Sequence, residues 1–127
     1  MSHDLNEAQR NFLANYSDLL VEVEQSLHYV SECYIKGDYD IGDRLLKSVM
    51  GGLEPYNTEN LTIQSIFHED AQALSQLNKL IESAKWSVTI EESFPTEEQR
   101  MRFLHETLMP RLTAWKNSVD KYAIEMA

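Results

Sequence analysis

Four histidines, one cysteine and scattered carboxylates are the side chains here that could bind metal, attack a substrate or move a proton. A carboxylate-bridged metal pair in a helical bundle needs Glu three residues before His on two helices, plus two more inward carboxylates. Ser65 stands three before His68, Arg102 stands three before His105, and no two histidines are four apart. Glu24 and His28 share a helical face, but that face points away from the apolar stripe. The spacing therefore predicts no metal site and no cofactor. Cys33 lies one position off an apolar stripe with only Lys36 as a nearby cation, which reads as a packing thiol. Glu91-Glu92 and Glu97-Glu98 are adjacent pairs that diverge around a helix, so they suit solvated charge better than an acid/base dyad. Gly51-Gly52 lacks the Lys-Ser/Thr of a phosphate loop, and no Gly-x-Ser-x-Gly turn occurs. No catalytic, cofactor or nucleic-acid motif stands above background, so no enzyme activity is expected.

Asp70 leaves two readings open. It falls near the centre of an apolar stripe by angle, either as a carboxylate at a helix–helix edge with a partner, or as a buried acid of raised pKa. In the second case His105 or Tyr34, facing inward with it, would line a polar pocket for a small ligand or a reaction.

An aromatic group departs most from a bland surface. If the helix through Leu77 and Ile81 continues to residue 90, Trp86 and Ile90 lie on its opposite side. Phe103 likewise lies opposite the Met101–Leu108–Leu112 seam. Antiparallel neighbours would then gather Trp86, Ile90, Phe94 and Phe103 into one exposed apolar surface, as partner sites often are. Alternatively, the helix ends near Ser83–Trp86 and the chain folds back over these groups; Trp86-Ser87-Val88-Thr89-Ile90 even alternates like a short strand.

Two long stripes must position all of this. Phe12, Tyr16, Leu19, Val23, Leu27, Val30 and Tyr34 step by three or four, as do Met101, Leu104, Leu108, Leu112, Trp115, Val119, Tyr122 and Met126. The first helix is expected from Asp4, paired with Glu7 as a cap, to Lys36, stopping at Gly37. Asp38 or Asp40 would cap a second helix, with Asp43 facing the dipole in its first turn. Ile41, Leu45, Val49 and Leu53 would form its seam, widened by Leu46, and Gly42 would let two backbones approach closely. That helix weakens at Gly51-Gly52 and is closed or kinked by Pro55; the connection after it then covers one end of the bundle, or the bundle is three-helical there. A third helix would carry Ile63, Ile66, Phe67, Leu74, Leu77, Leu80, Ile81, Ala84 and Val88. Thr96 with Gln99 reads as a capping box opening the fourth, which Pro110 should kink near Glu106–Pro110. The pattern predicts one all-α domain over 1–127: an antiparallel, up-down-up-down four-helix bundle with a short second helix.

With 43% hydrophobic residues, a chain of this length can bury a core without a metal or disulfide. Its formal charge is −10, all of it carried by residues 1–95 and none net by 96–127. Nucleic acid and anionic membrane are poor partners for such a chain. One cysteine excludes an internal disulfide and fits a reducing, cytoplasmic setting. The first ten residues show no basic segment followed by an apolar run, and no stretch reaches the length of a membrane span.

The run Gly37-Asp38-Tyr39-Asp40-Ile41-Gly42-Asp43-Arg44-Leu45-Leu46, followed by Gly51-Gly52-Leu53-Glu54-Pro55-Tyr56, resembles the helix-turn-helix of small all-helical bacterial proteins without assigned activity. That resemblance implies no active residue. In class alone the chain is also similar to flagellar and secretion chaperones, which are short acidic helical bundles. The expected role is an adaptor or chaperone-like protein that binds another protein, or forms a homodimer, through a helix groove or the Trp86/Phe103 end. Anion mimicry toward a nucleic-acid-binding protein rests on net charge alone.

Overall fold

The computed structural model describes residues 5–125, which are all-helical without a strand. The first helix, α1 (Glu7–Ile35), opens on a capping box. The Asn6 side chain accepts from the Gln9 N–H at 2.7 Å, and the Gln9 side chain accepts from the Asn6 N–H at 2.9 Å. The cap is thus Asn6, and the expected Asp4 lies outside the described residues. At the other end Gly37 takes φ +86°, where a side chain would be strained. There the Gly37 and Asp38 N–H groups return to the carbonyls of Tyr34 and Cys33, closing α1 as a Schellman turn.

Seven side chains of α1 form its buried seam: Leu13, Tyr16, Leu20, Val23, Leu27, Val30 and Tyr34. Leu13 and Leu20 take the central positions expected of Phe12 and Leu19. Those two sit half-buried at the edge, Phe12 beside Tyr56 and Leu19 beside Val49 and Leu53.

In α2 (Tyr39–Gly51), Asp38 occupies the capping position without a side-chain bond to the backbone. The seam is Leu46 and Met50, continued by Leu53, whereas Ile41 is 48% exposed and outside it. Gly42 makes room for side chains where two backbones were expected to meet: a Cβ there would stand 2.7 Å from Cε1 of Tyr34 and 3.3 Å from Cβ of Cys33. Asp43 turns into the interior instead of toward the helix dipole.

The expected third helix is two: α3 (Leu61–Phe67) and α4 (Ala71–Val88). Asp70 causes the break. Its side chain accepts from the Ala73 N–H at 3.0 Å and starts a new helix, while its own N–H closes a turn onto Phe67. Near the end of α4 the buried residues are Ser83, Ala84 and Ser87, and Val88 faces outward. The two serines return their hydroxyl protons to carbonyls one turn back, which makes them tolerable inside. A short α5 (Ile90–Ser93) follows.

The last rod is α6 (Glu97–Arg102), a π-helical segment (Phe103–Leu108) and α7 (Met109–Glu125). Thr96 and Gln99 form the expected capping box. Where a kink at Pro110 was expected, the segment before it is a widened, π-helical turn. The Met109 N–H reaches back five residues to Leu104, moving the proline ring away from the carbonyl it would strike.

The rods pair tightly: α1 with α2 and α7, α4 with α2 and α7. Bonds between α1 and the last rod run in opposite directions, Ser17 meeting Asp120 and Ser31 meeting His105. Between α4 and the last rod, Gln76 meets Ser118 and Trp86 meets Phe103. Leu27 and Leu112 are both buried in the common interior. Trp115 lies at its centre, with its indole N–H donating to the Tyr16 hydroxyl at 2.8 Å.

Two substitutions probe this packing. Gly42→Ala gains about 1 kcal/mol of helix propensity, yet overpacking against a ring fixed at its hydroxyl costs about 1–3 kcal/mol. The expected result is a lower urea midpoint with unchanged helicity. Tyr16→Phe leaves the Trp115 N–H without its acceptor and should cost about 1–3 kcal/mol in the same measurement.

Candidate functional site

The end of α4, α5, the turn at 94–96, α6 and the π segment meet at one end of the molecule. Trp86, Phe94 and Phe103 line a groove of about 610 Å³ there, with Arg102, Glu106 and Thr107 on its polar side. Phe94 stacks on Phe103 with centroids 4.4 Å apart, and Trp86 meets Phe103 edge-on at 6.2 Å. The four residues expected to form an exposed surface divide. Trp86 is 38% exposed and Phe94 half-buried, but Phe103 at 4% is the floor and Ile90 at 0% is core. The reason is local: Thr89, at φ −116° and ψ 45°, ends α4, and α5 swings Ile90 inward.

Both exposed walls are held from behind. Arg111 lies 5.7 Å from the Trp86 ring centroid in a cation–π contact. Its Nη1 also donates to the Lys79 carbonyl, the Ser83 hydroxyl and Glu82 at 2.8–3.1 Å. Phe94 is fixed by Arg100. Arg100 Nε donates to the Phe94 carbonyl at 2.9 Å, Nη2 to the Pro95 carbonyl at 3.2 Å, and Nη1 to Asp43 Oδ2 at 2.9 Å. The other Asp43 oxygen accepts from the Tyr34 hydroxyl at 2.6 Å. The Asp43 and Arg100 side chains are only 5% and 13% exposed, so this ion pair is interior. Burial, then the bond to Asp43, push the Tyr34 phenol above its ordinary range. This network was illegible in the sequence, because its members are up to 66 residues apart. The available signal was a carboxylate directly after Gly42, on the side of α2 that had to be buried.

The residues proposed for an internal polar pocket do not converge. Asp70 caps α4 and borders a surface cleft with Ile66, His68 and Tyr122. The Tyr122 hydroxyl donates to it at 3.0 Å. Tyr34 is committed to Asp43. His105 is exposed, its Nε2 3.0 Å from the Ser31 hydroxyl. Cys33 is buried against the Gly42 side of α2. Among the described residues no group of three or more His, Cys, Asp or Glu is placed to hold a metal ion. Nor is any described helix long and apolar enough to cross a membrane.

Removing Asp43 strands the Arg100 charge in the interior. Asp43→Ala should therefore cost about 3–5 kcal/mol of stability, seen as a collapse of the urea midpoint. A loss under about 1 kcal/mol, the worth of an exposed pair, would contradict the burial described. Alkali should also act on the tyrosines. Burial, then Asp70, push Tyr122 up to about 12 from 10.0. A raised folded-state pKa stabilises below the unfolded value and loses that contribution as pH rises through the folded one. The melting temperature should therefore fall between pH 10 and about 12, and Tyr122→Phe should flatten that fall.

No curated protein and no solved structure matches the chain. The family described as "Domain of unknown function (DUF8042)" matches residues 11–118. The match runs from the first turns of α1 to the later turns of α7 and takes in the groove and the Asp43–Arg100 pair, so the chain belongs to this family.

Proposed function

We propose that this protein is a non-enzymatic binding module, adaptor- or chaperone-like, that takes another protein or a second copy of itself in the Trp86/Phe94 groove. The observation that supports it most is preorganisation. An aromatic wall left partly in water is nevertheless fixed from behind by Arg111 and by Arg100. A rigid apolar groove binds with little ordering cost, and a Trp beside an Arg is typical of interface hot spots. The opposed directions of the paired rods support taking α1, α2, α4 and the last rod as an up-down-up-down four-helix bundle, with the groove at one end. The lone Cys33, buried as a thiol, supports a reducing, cytoplasmic setting.

Trp86→Ala tests the reading. Trp86 is only 38% exposed, so truncation removes buried ring area along with the ring-edge and cation–π contacts. It should cost about 2–3 kcal/mol, seen as a lower melting temperature with the fold and helicity retained. Association should drop at least tenfold, read by sedimentation velocity for self-association and by differential capture from native extract for a partner. Equal capture and equal sedimentation by both forms would sink the proposal.

A further inference from the structure

The aromatic groove is one end of a longer trough. Glu106 and Thr107 also line a cleft of about 550 Å³ between α4 and α7. Gln72, Gln76 and Ala114 join that cleft to a third of about 460 Å³, which ends at Lys121 and Tyr122. From Phe103 to Tyr122 the trough spans about 28 Å at the helical rise, room for about eight residues of extended chain.

Its lining changes along this path. Beyond the aromatic end, Ser75, Thr107 and Asn117 present hydroxyls and an amide, while Gln76 and Ser118 bond each other. A helix docking by its apolar stripe gains little there, because its own backbone groups are already paired. An extended chain has free N–H and C=O groups for such a lining to satisfy.

The charge of the trough also differs from that of the chain. Arg102, Lys79, Arg111 and Lys121 line it against Glu106 and Asp70, in a protein of formal charge −10. Asp70 is already engaged by the Ala73 N–H and the Tyr122 hydroxyl. Arg102 and Glu106 pair only at 3.8 Å in solvent. Lys79 and Lys121 form no ion pair among the described residues. Arg111 is already paired with Glu82 at 3.1 Å, and at physiological ionic strength the more distant acids are screened beyond about 8 Å, so a ligand in the trough feels mainly Lys79 and Lys121.

Resting on the protein-binding reading above, we infer that the trough receives an extended acidic peptide segment with one bulky apolar anchor. The anchor fills the Trp86/Phe94/Phe103 end, and acidic residues on one side of it lie toward Lys79 and Lys121.

A displayed random dodecapeptide library, selected on the full-length protein and counter-selected on Trp86→Ala, tests this. Enriched sequences should carry Trp, Phe or Leu with Asp or Glu on one side. The double variant Lys79→Glu, Lys121→Glu should capture them at least tenfold less while melting as the wild type does. Enriched sequences that depend on Trp86 but are neutral or basic, and ignore the charge reversal, overturn this inference and leave the binding reading standing. Failure to enrich any sequence, together with a wild-type dimer that Trp86→Ala dissociates, assigns the groove to a second copy and overturns the peptide. Failure to enrich any sequence with no such dimer removes both readings.

Discussion

Arg100 holds together segments that hydrophobic packing alone would leave adjustable. Its guanidinium donates to Asp43 on α2 and to the carbonyls of Phe94 and Pro95, and Asp43 in turn accepts from Tyr34 on α1. An interior ion pair is a poor source of net stability, since desolvation offsets most of the attraction. What it supplies is direction: a planar fork satisfied by a carboxylate and two carbonyls admits few arrangements. The requirement runs backward along the chain. Only glycine at 42 leaves room for the Tyr34 ring, and only that ring position brings its hydroxyl to Asp43. It also runs forward, because the pinned turn sets Phe94 on Phe103 and so sets one wall of the groove.

From the centre of the interior away from the groove, rings serve the same purpose. Tyr16 bonds Trp115 across the interior, and Phe67 packs on both Trp115 and Tyr122. Nearby, burial opposes the charge of Asp120, but bonds from Ser17 and Lys116 outweigh it and keep its pKa low. These polar links fix the register in which α1 meets α7. A slip of one turn would leave a buried indole N–H and a carboxylate without partners, a cost that a uniformly apolar seam would not impose.

What could be read from the sequence follows the range of the interaction involved. Gly37 as a helix stop and Thr96–Gln99 as a capping box depend on residues within a turn or two, and both stand as read. Gly42 as a close approach, of side chains rather than of backbones, was legible because a missing side chain on a buried face has few other uses. The central seam of the last rod, Leu104, Leu108, Leu112, Trp115 and Val119, was legible from its steps of three and four. Misplacements arose where local chemistry competed with periodicity. Asp70 lies on an apolar stripe by angle, yet its preference for capping broke the helix there, and Thr89 turned Ile90 from surface to core. Ile41 and Leu46 are both plausible seam residues on α2, and only the position of α1, fixed by Tyr34 against Gly42, chooses between them. The Asp43–Arg100 pair, on which the groove depends, has a local sign only at Asp43, beside Gly42; nothing near Arg100 in the chain marks it as the partner.

Pro110 connects the two ends. A straight α-helix from Glu97 onward would place its ring against the carbonyl one turn back. The π segment at 103–108 absorbs that conflict by adding a residue to the turn. An inserted residue rotates everything before it by about 100° relative to everything after it. Phe103 and Leu104 can therefore both be buried, although they are adjacent on the helix, while Leu108, Leu112 and Trp115 keep their own seam. Without that rotation, a helix continuing the Leu108–Trp115 register would carry Phe103 to the far side, as the uninterrupted pattern implied. The proline thus goes with a change of phase along the rod. It lets one helix serve the core along α7 and the aromatic floor at its start, which places a binding surface at the end of the molecule without interrupting the packing that holds it folded.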